Sequence, residues 1–134
     1  KKKGLQIDNV CCIYPTAVLL KSYHLKKSFS AFKKFKKSFL FSAQKFTSPP
    51  QRALIRQKGK IYMMNSKNYF MQSNNLKETY YDAGQFYWGD TNSWINEKIV
   101  FGKKSDIYVL SFLDAVDINN KEDWKLAEFL YKNR

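Results

Sequence analysis

Histidine and cysteine are almost absent from this sequence. Its 134 residues include one histidine, His24, and two cysteines, Cys11 and Cys12, which are neighbours in the chain. Neighbouring cysteines exclude a disulfide framework and a zinc site with four ligands. A single histidine and the lack of a Gly-x-Ser-x-Gly sequence argue against a serine or cysteine hydrolase. We expect His24 to be a surface residue and not a catalytic base.

Long apolar runs and glycine-rich nucleotide motifs are also missing. No run approaches the roughly 18 apolar residues of a transmembrane helix. The three lysines at the start lead into a mixed sequence and not into a secretory signal. These absences predict a cytoplasmic protein that makes no membrane contact. No Walker loop or Gly-x-Gly-x-x-Gly sequence occurs, and because the chain begins with lysine we expect it to be part of a longer protein.

Positive charge is in excess and is unevenly placed. The net charge is +13; residues 1–77 contain 17 basic residues and one acid, whereas residues 78–134 contain 7 basic and 10 acidic residues. Such asymmetry suggests an anionic partner: nucleic acid, a membrane or a phosphorylated substrate. The alternative is that the lysines only solvate exposed faces. A hydrophobic content of 44% argues against a disordered tail, and the length fits one domain.

The first third of the chain predicts a strand, a helix and a second strand. Residues 9–14 form a continuous apolar run, typical of a strand buried on both faces of a parallel sheet. The two cysteines are then small core residues, since a reactive thiol would need a basic, exposed position. Residues 21–36 predict a helix and residues 38–46 a strand, which together complete a right-handed βαβ unit.

The predicted helix combines an apolar stripe with a basic surface. The stripe recurs at helical spacing in Leu25, Phe29, Phe32 and Phe35. Other lysines lie off the stripe, but Lys36 would fall on it, so we expect the helix to end there. Such a helix can cover a sheet, lie on an anionic membrane or follow a nucleic-acid backbone.

The rest of the chain predicts further strands and a closing helix. Strands are expected in a hairpin at residues 53–64, in an aromatic segment at residues 80–89, and at residues 107–110 and 115–118. The closing helix is predicted from a cap at Asn119 or Asn120, from the acids that follow it and from an apolar face. These elements indicate an α/β fold.

One acid is a candidate ligand on these grounds alone. Asp117 is expected at the end of a short strand, directly before the closing helix, and ligands of open α/β sheets collect at the carboxyl ends of strands. A carboxylate at that place can hold Mg²⁺ together with substrate phosphates. The alternative is an ordinary turn residue.

Four segments carry recognisable motifs in a fixed order. They are residues 10–17 (Val-Cys-Cys-Ile-Tyr-Pro-Thr-Ala), residues 51–54 (Gln-Arg-Ala-Leu), residues 82–89 (Asp-Ala-Gly-Gln-Phe-Tyr-Trp-Gly) and residues 117–124, where Asp-Ile-Asn precedes Glu-Asp-Trp. In this order they resemble the bacterial pseudaminic acid cytidylyltransferases. The aromatic segment at residues 82–89 is the most specific of the four, and together they extend over most of the chain.

The resemblance implies an enzyme that activates a nonulosonic acid, a nine-carbon acidic sugar, of the pseudaminic acid type. The sugar hydroxyl attacks the α-phosphate of CTP, and pyrophosphate leaves, giving a CMP-sugar. The resemblance also implies a three-layer α/β/α fold of the nucleotide-diphospho-sugar transferase type, a homodimer, and Mg²⁺ or a similar divalent cation as cofactor. A specific nucleic-acid partner is not expected.

The resemblance assigns a metal site to the segment before the closing helix. Asp117 matches the first acid of the family's Asp-x-Asp motif and is therefore the implied catalytic and metal-binding residue. Asn119 stands in place of the second acid. An amide oxygen can still coordinate a cation, but the site loses one negative charge.

Four residues are implied to bind the substrates. Arg52, with Gln51, matches the position expected to pair with the sugar carboxylate, because a guanidinium group suits bidentate recognition. A solvated arginine is the alternative. Thr16 and Gln85 match motif positions near the expected pocket.

Family members begin with strands and a loop rich in Arg, Gly, Ser and Lys that holds the CTP phosphates, and this chain has no such loop. We therefore expect residues 1–134 to be a single partial domain, the C-terminal part of a cytidylyltransferase domain that lacks the N-terminal nucleotide-binding strands and is inactive alone. Residues 47–82 are predicted to be a hairpin-containing insertion for sugar binding or dimerisation. The alternative function is a non-enzymatic basic module that binds nucleic acid or an anionic membrane through the helix at residues 21–37.

Overall fold

The computed structural model describes Gly4, residues 6–96 and residues 98–134, so that the lysines at positions 1–3 lie outside the described residues. In chain order the strands and helices are β1 (Asn9–Ile13), α1 (Ser22–Phe35), β2 (Phe39–Lys45), β3 (Leu54–Gln57), β4 (Lys60–Met63), β5 (Tyr80–Asp90), α2 (Thr91–Ile95), β6 (Ser105–Val109) and α3 (Lys121–Lys132). They fall into two compact units. The sheet unit runs up to Gln44 and continues from Asp82, and the hairpin unit is Lys45–Tyr81.

A four-stranded mixed sheet is the centre of the sheet unit, in the order β1, β5, β2, β6. β5 is antiparallel to β1, with Val10 opposite Gly89, and β2 is parallel to β6, with Phe41 opposite Ile107. The predicted α/β class is confirmed. The predicted βαβ pairing is wrong, because β5 lies between β1 and β2. The aromatic β5 takes this central position, where it can bury side chains on both faces.

β1 is an edge strand of the described sheet and not the doubly buried strand that its apolar run predicts. Val10, Cys12 and Ile13 are exposed, and only Cys11 packs partly against the core. An edge strand has a neighbour on one side only, so most of its side chains keep contact with solvent. The prediction that both cysteines fill the core is therefore wrong for Cys12.

Helix α1 covers one face of the sheet, as its apolar stripe predicts. Phe32 is buried, and the ring of Phe29 lies 4.8 Å from that of Trp88. The helix ends where Lys36 adopts a left-handed conformation with φ of 49°, which confirms the predicted end. Since most of the stripe is packed on the sheet, Phe35 is its one residue that remains more than half exposed.

The opposite face of the sheet is covered by α2 and the segment after it. The ring of Phe39 meets Trp94 edge-on at 5.0 Å, and Phe41 meets Phe101 in the same way at 4.9 Å. Gly89 is required at this contact, because a Cβ atom there would lie 2.7 Å from the Phe39 ring. The two helices therefore enclose β2, whose side chains are buried along almost its whole length.

Helix α3 begins at the predicted cap. The Asn120 side chain accepts hydrogen bonds from the backbone N–H groups of Glu122 and Asp123, and the Asp123 carboxylate accepts one from Asn120 in return. The strand predicted at residues 115–118 is wrong, since this stretch has no regular structure. None of the helices in the described part of the chain is long and apolar enough to cross a membrane.

The hairpin unit contains the predicted two-stranded hairpin of β3 and β4. Its turn places Lys58 and Gly59 at φ of 48° and 72°, the left-handed pair that joins antiparallel strands through two residues. No side chain of Lys45–Tyr81 is buried. The residues of the hairpin unit are held together instead by backbone pairing and by polar contacts, among them the ion pair of Lys45 with Glu78.

Candidate functional site

Strand β5 contains a left-handed residue at Gly84, which we interpret as a bulge that organises the candidate site. Gly84 has a φ of +60°, a left-handed value that favours glycine. Ala83 and Phe86 both point into the core beneath α1 although they are three residues apart. In a regular strand they would lie on opposite faces, so the bulge reverses the alternation of side chains.

Side chains satisfy the backbone groups that the bulge removes from the strand ladder. Asp82 Oδ1 accepts a hydrogen bond from the Gly84 N–H at 3.0 Å. The Ser42 hydroxyl, which is fully buried, accepts from both Gln85 N–H and Phe86 N–H at 3.1 Å. Three successive donors are thereby paired, which removes the cost of leaving buried N–H groups without partners.

Asp117 lies directly against this bulge. A Cβ atom on Gly84 would come within 3.2 Å of Asp117 Oδ1, so the carboxylate occupies the space that the missing side chain leaves. The Asn119 amide nitrogen donates to Asp117 Oδ2 at 3.0 Å. The structure thus brings together the two residues that the resemblance assigns to the metal, and both are exposed to solvent.

The donor set suits a hard cation that takes further ligands from a substrate. Asp117 offers carboxylate oxygens, and Asn119 has an amide oxygen in addition to the nitrogen that it donates. No group of three or more His, Cys, Asp or Glu side chains that could hold a metal occurs within the described residues. Mg²⁺ is usually held by one or two carboxylates, water and substrate phosphates, so these residues fit Mg²⁺ better than a metal that needs a complete protein cage.

Gln85 and Thr16 lie in the sheet unit with Asp117. Gln85 is fully buried, and its amide nitrogen donates to the carbonyls of Ala83 at 2.7 Å and Val116 at 3.3 Å. Its Oε1 atom has no hydrogen-bond partner among the described residues. Thr16 stands in the turn after β1, where its carbonyl accepts from Val18 N–H at 2.8 Å. The structure gives Gln85 a place inside the protein, next to the segment that carries Asp117.

Arg52 and Gln51 belong to the hairpin unit. Arg52 is exposed, and its Nη1 atom lies 3.4 Å from the Ser73 hydroxyl, on the wall of an open cleft beside Pro49. Gln51 donates from Nε2 to the Lys77 carbonyl at 2.9 Å. The guanidinium group therefore faces solvent with donors available, whereas the Gln51 side chain is already bonded to the backbone.

The network of Asp82 and Tyr87 was not found by reasoning from the sequence. The Tyr87 hydroxyl donates to Asp82 Oδ2 at 2.5 Å. Burial, and then this hydrogen bond, raises the pKa of Tyr87 well above its usual value, so the phenol stays protonated. The two residues are five apart and would lie on opposite faces of a regular strand. Only a glycine within an aromatic strand hints at the bulge that brings them together.

The expectation that His24 is a surface residue is wrong. Only 3% of its side chain is exposed. Its Nδ1 atom accepts from Lys21 N–H at 3.2 Å, and its Nε2 atom lies 3.6 Å from Asp114 Oδ2. Burial lowers its pKa, although Asp114 acts in the opposite direction. Because both ring nitrogens have partners within the protein, His24 caps α1 and has no free nitrogen to act as a base.

The chain is similar to two proteins named pseudaminic acid cytidylyltransferase, from Campylobacter jejuni subsp. jejuni serotypes O:23/36 and O:2. Each is 37% identical over 126 residues, which is 93% of this chain and 54% of the relative. A Helicobacter pylori protein, named pseudaminic acid cytidylyltransferase and UDP-2,4-diacetamido-2,4,6-trideoxy-beta-L-altropyranose hydrolase, is 26% identical over 122 residues, 90% of this chain and 23% of its own length.

No family model matches the chain. The chain spans about half the length of the two Campylobacter relatives. The resemblance that the four motifs indicate is confirmed as a match to a portion of these proteins.

Proposed function

We propose that this chain forms part of a CTP-dependent cytidylyltransferase that activates a nonulosonic acid of the pseudaminic acid type, giving a CMP-sugar and pyrophosphate. The observation that carries the proposal is the 37% identity to two proteins of that name over 93% of the chain. The pairing of Asp117 with Asn119 beside a strand bulge supports it, since bulges are frequent next to active sites.

Asp117 is the proposed catalytic residue and the dominant protein ligand of a divalent cation, with Asn119 adding a neutral amide oxygen. Mg²⁺ bound there supplies positive charge that offsets the charge of the triphosphate. The bond from the Asn119 amide nitrogen holds the Asp117 carboxylate in one orientation. Arg52 and Gln51 are proposed to recognise the sugar carboxylate, Arg52 by its exposed guanidinium group. Thr16 and Gln85, both in the sheet unit, are also proposed to contribute to substrate binding.

The 134-residue chain is proposed to be inactive by itself. It matches only 54% of the length of its relatives, and the remaining part of those proteins has no counterpart here. The proposed reaction therefore belongs to a longer protein that contains this chain, which we propose acts as a homodimer. The test is made in such a protein, with Asp117, Asn119 and Arg52 substituted in turn.

In the longer protein, Asp117→Asn is expected to lower kcat about 10²–10³-fold, because groups that offset charge at a reacting centre commonly contribute that much. Asn119→Asp restores the second acid and should lower the Mg²⁺ concentration needed for half-maximal turnover. Glu128→Gln is the control, since this exposed acid of α3 is paired with Lys132. Full activity of Asp117→Asn, or an unchanged Mg²⁺ dependence of Asn119→Asp, contradicts the metal role.

Arg52→Ala tests the sugar-binding role. Loss of the guanidinium group should raise the KM for the sugar about tenfold or more, because a charge-assisted hydrogen bond is lost, and should leave the KM for CTP unchanged. Arg56→Ala, which removes an exposed arginine from strand β3 of the same hairpin unit, is the control. An equal rise in the KM for the sugar in both variants would mean that Arg52 acts only through the general positive charge of the surface.

A further inference from the structure

We propose that Asp82 and Tyr87 are positioning residues for Asp117: together they hold the bulge at Gly84 in the shape against which the Asp117 carboxylate rests. The effect of this positioning on a bound cation rests on the proposed function, whereas the positioning of the Asp117 carboxylate does not. Neither residue is among the proposed substrate-binding residues. They act on the Asp117 carboxylate through the backbone of Gly84.

Gly84 lies against the Asp117 carboxylate. Gly84 has no side chain and a left-handed backbone, and the Asp117 carboxylate fills the adjoining space to within 3.2 Å of where a Cβ atom would stand. The backbone conformation at Gly84 therefore sets the space that is open to the Asp117 carboxylate on this side. A change in the conformation of the bulge therefore moves the backbone that lies against the Asp117 carboxylate.

Two side chains of β5, those of Asp82 and Tyr87, fix the bulge. Asp82 uses both carboxylate oxygens within the bulge: Oδ1 accepts from Gly84 N–H at 3.0 Å, and Oδ2 accepts from the Tyr87 hydroxyl at 2.5 Å. Tyr87 is only 6% exposed, and its ring is 5.2 Å from that of Tyr14. A buried aromatic ring holds its hydroxyl in a fixed position. Asp82, which binds that hydroxyl with one oxygen and the Gly84 N–H with the other, is thereby fixed as well.

Gln85 makes a second connection between the bulge and the Asp117 segment. The Gln85 amide nitrogen, inside the protein, bridges the carbonyls of Ala83 and Val116 at 2.7 and 3.3 Å. Val116 directly precedes Asp117. The bulge therefore lies against Asp117 and also holds the residue before it, so a shift of the bulge can displace the carboxylate through either contact.

A purely structural role for Tyr87 makes a different prediction. Packing of β5 requires the ring, which contacts Tyr14 and Phe41, but it does not require the hydroxyl. Tyr87→Phe keeps the ring and removes the hydroxyl, together with its bonds to Asp82 and to the Tyr14 side chain. Tyr108→Phe is the matched control. This partly buried tyrosine of β6 also packs on the core, and the substitution removes a hydroxyl from the same sheet.

The experiment uses the full chain with two readouts. The first is the side-chain carboxyl ¹³C resonance of Asp117, identified by its loss in Asp117→Asn. The second is the broadening of the Gly84 and Asp117 amide signals by Mn²⁺ alone. We expect Tyr87→Phe to move the resonance and to weaken Mn²⁺ binding about tenfold, the lower end of what substitutions behind a metal ligand cause. Tyr108→Phe should change neither.

The outcomes separate the inference from the proposed function. If Asp117→Asn leaves Mn²⁺ binding unchanged, the metal role fails, and the carboxyl resonance alone decides the positioning role. If Tyr87→Phe and Tyr108→Phe leave that resonance equally unmoved, the positioning role is overturned. Gly84→Ala is the second variant, because its Cβ atom presses on Asp117 directly and should move the resonance even where Tyr87→Phe fails to fold. An unmoved resonance in Gly84→Ala also overturns the inference.

Discussion

The sheet unit and the hairpin unit use apolar residues in opposite ways. In the sheet unit, Phe39, Phe86 and Leu40 are almost completely buried between helices and strands. In the hairpin unit no side chain is buried, and Ile61 and Phe70 are 66% and 93% exposed. Apolar content alone therefore does not mark the core of this chain. What distinguishes the sheet unit is that other elements cover both faces of its central strand β2.

The comparison implies that the sheet unit carries the free energy of folding. An isolated two-stranded hairpin is at best marginally stable in water, and the hairpin unit adds only short 3₁₀ turns to one. Substitutions in the sheet unit should therefore change global unfolding, whereas those in the hairpin unit should change local opening only. Four predictions test this difference, in order of expected size.

The largest effect is expected for Phe86→Ala. Removing a fully buried ring should lower the free energy of unfolding by about 3–5 kcal/mol, through lost burial and the cavity that remains. Phe70→Ala, at the most exposed phenylalanine, should stay within about 0.5 kcal/mol of the parent. Urea unfolding followed by tryptophan fluorescence measures both. Similar losses for the two variants would abolish the distinction between the units.

A smaller effect is expected at the start of α3. Asn120→Ala removes an oxygen that accepts two backbone hydrogen bonds and should cost about 1 kcal/mol in the same urea experiment. Asn120→Asp keeps an accepting oxygen and should retain most of the stability. An equal loss in both variants would mean that the cap contributes little to the sheet unit.

In the hairpin unit the expected effect is confined to the hairpin. Gly59→Ala places a side chain at φ of 72°, which costs roughly 1 kcal/mol. Hydrogen exchange should accelerate for amides of β3 and β4 and stay unchanged for β2. Lys58→Asn is the control, because asparagine tolerates the left-handed conformation at the neighbouring position. Faster exchange in β2 would show that the two units open together.

The smallest change concerns pH and returns to the sheet unit. Burial lowers the pKa of His24, and Lys21 and Arg134 act in the same direction while Asp114 opposes them. The folded state therefore favours neutral His24. Its contribution to stability should be complete above pH of about 6.5, the unperturbed value, and should decline as the pH falls from there through the lowered pKa. His24→Gln should flatten this dependence, and since His24 is the only histidine, an unchanged slope would refute the assignment.

Local patterns were sufficient to predict most elements of the fold. The stripe of α1, the turn at Lys58 and Gly59 and the cap at Asn120 each depend on residues close in sequence, and all are confirmed. The pairing of β1 was not predictable in this way. Its neighbour β5 lies some seventy residues further along the chain, and its apolar run fits an edge position as well as a central one.

The segment at residues 115–118 shows why an apolar run can fail to predict a strand. Ala115 and Val116 are buried, as in a strand, but the Gln44 side chain binds the carbonyls of Ser111 and Ala115, and Gln85 binds that of Val116. Buried amides thus replace the strand ladder. Backbone groups can be satisfied by distant side chains, which no local pattern reveals.

The candidate site was accessible to sequence reasoning only in part. Asp117 and Asn119 are two residues apart, and the resemblance pairs them, as the structure does. Asp82 and Tyr87 meet only because Gly84 reverses the alternation of β5. His24 was misjudged because its partner Asp114 is ninety residues away in the sequence, which no helical pattern includes.

The position of the adjacent cysteines at the edge of the sheet also determines their covalent chemistry. Successive side chains of an extended strand point in opposite directions, so the two sulfurs face away from each other and β1 cannot close a ring between them while it stays paired with β5. Burial raises the pKa of the Cys11 thiol to about 11, whereas Cys12 is exposed. Alkylating reagents react with the thiolate. At neutral pH the folded chain therefore presents one reactive thiol, that of Cys12, where a fluorophore can be attached without disturbing the core.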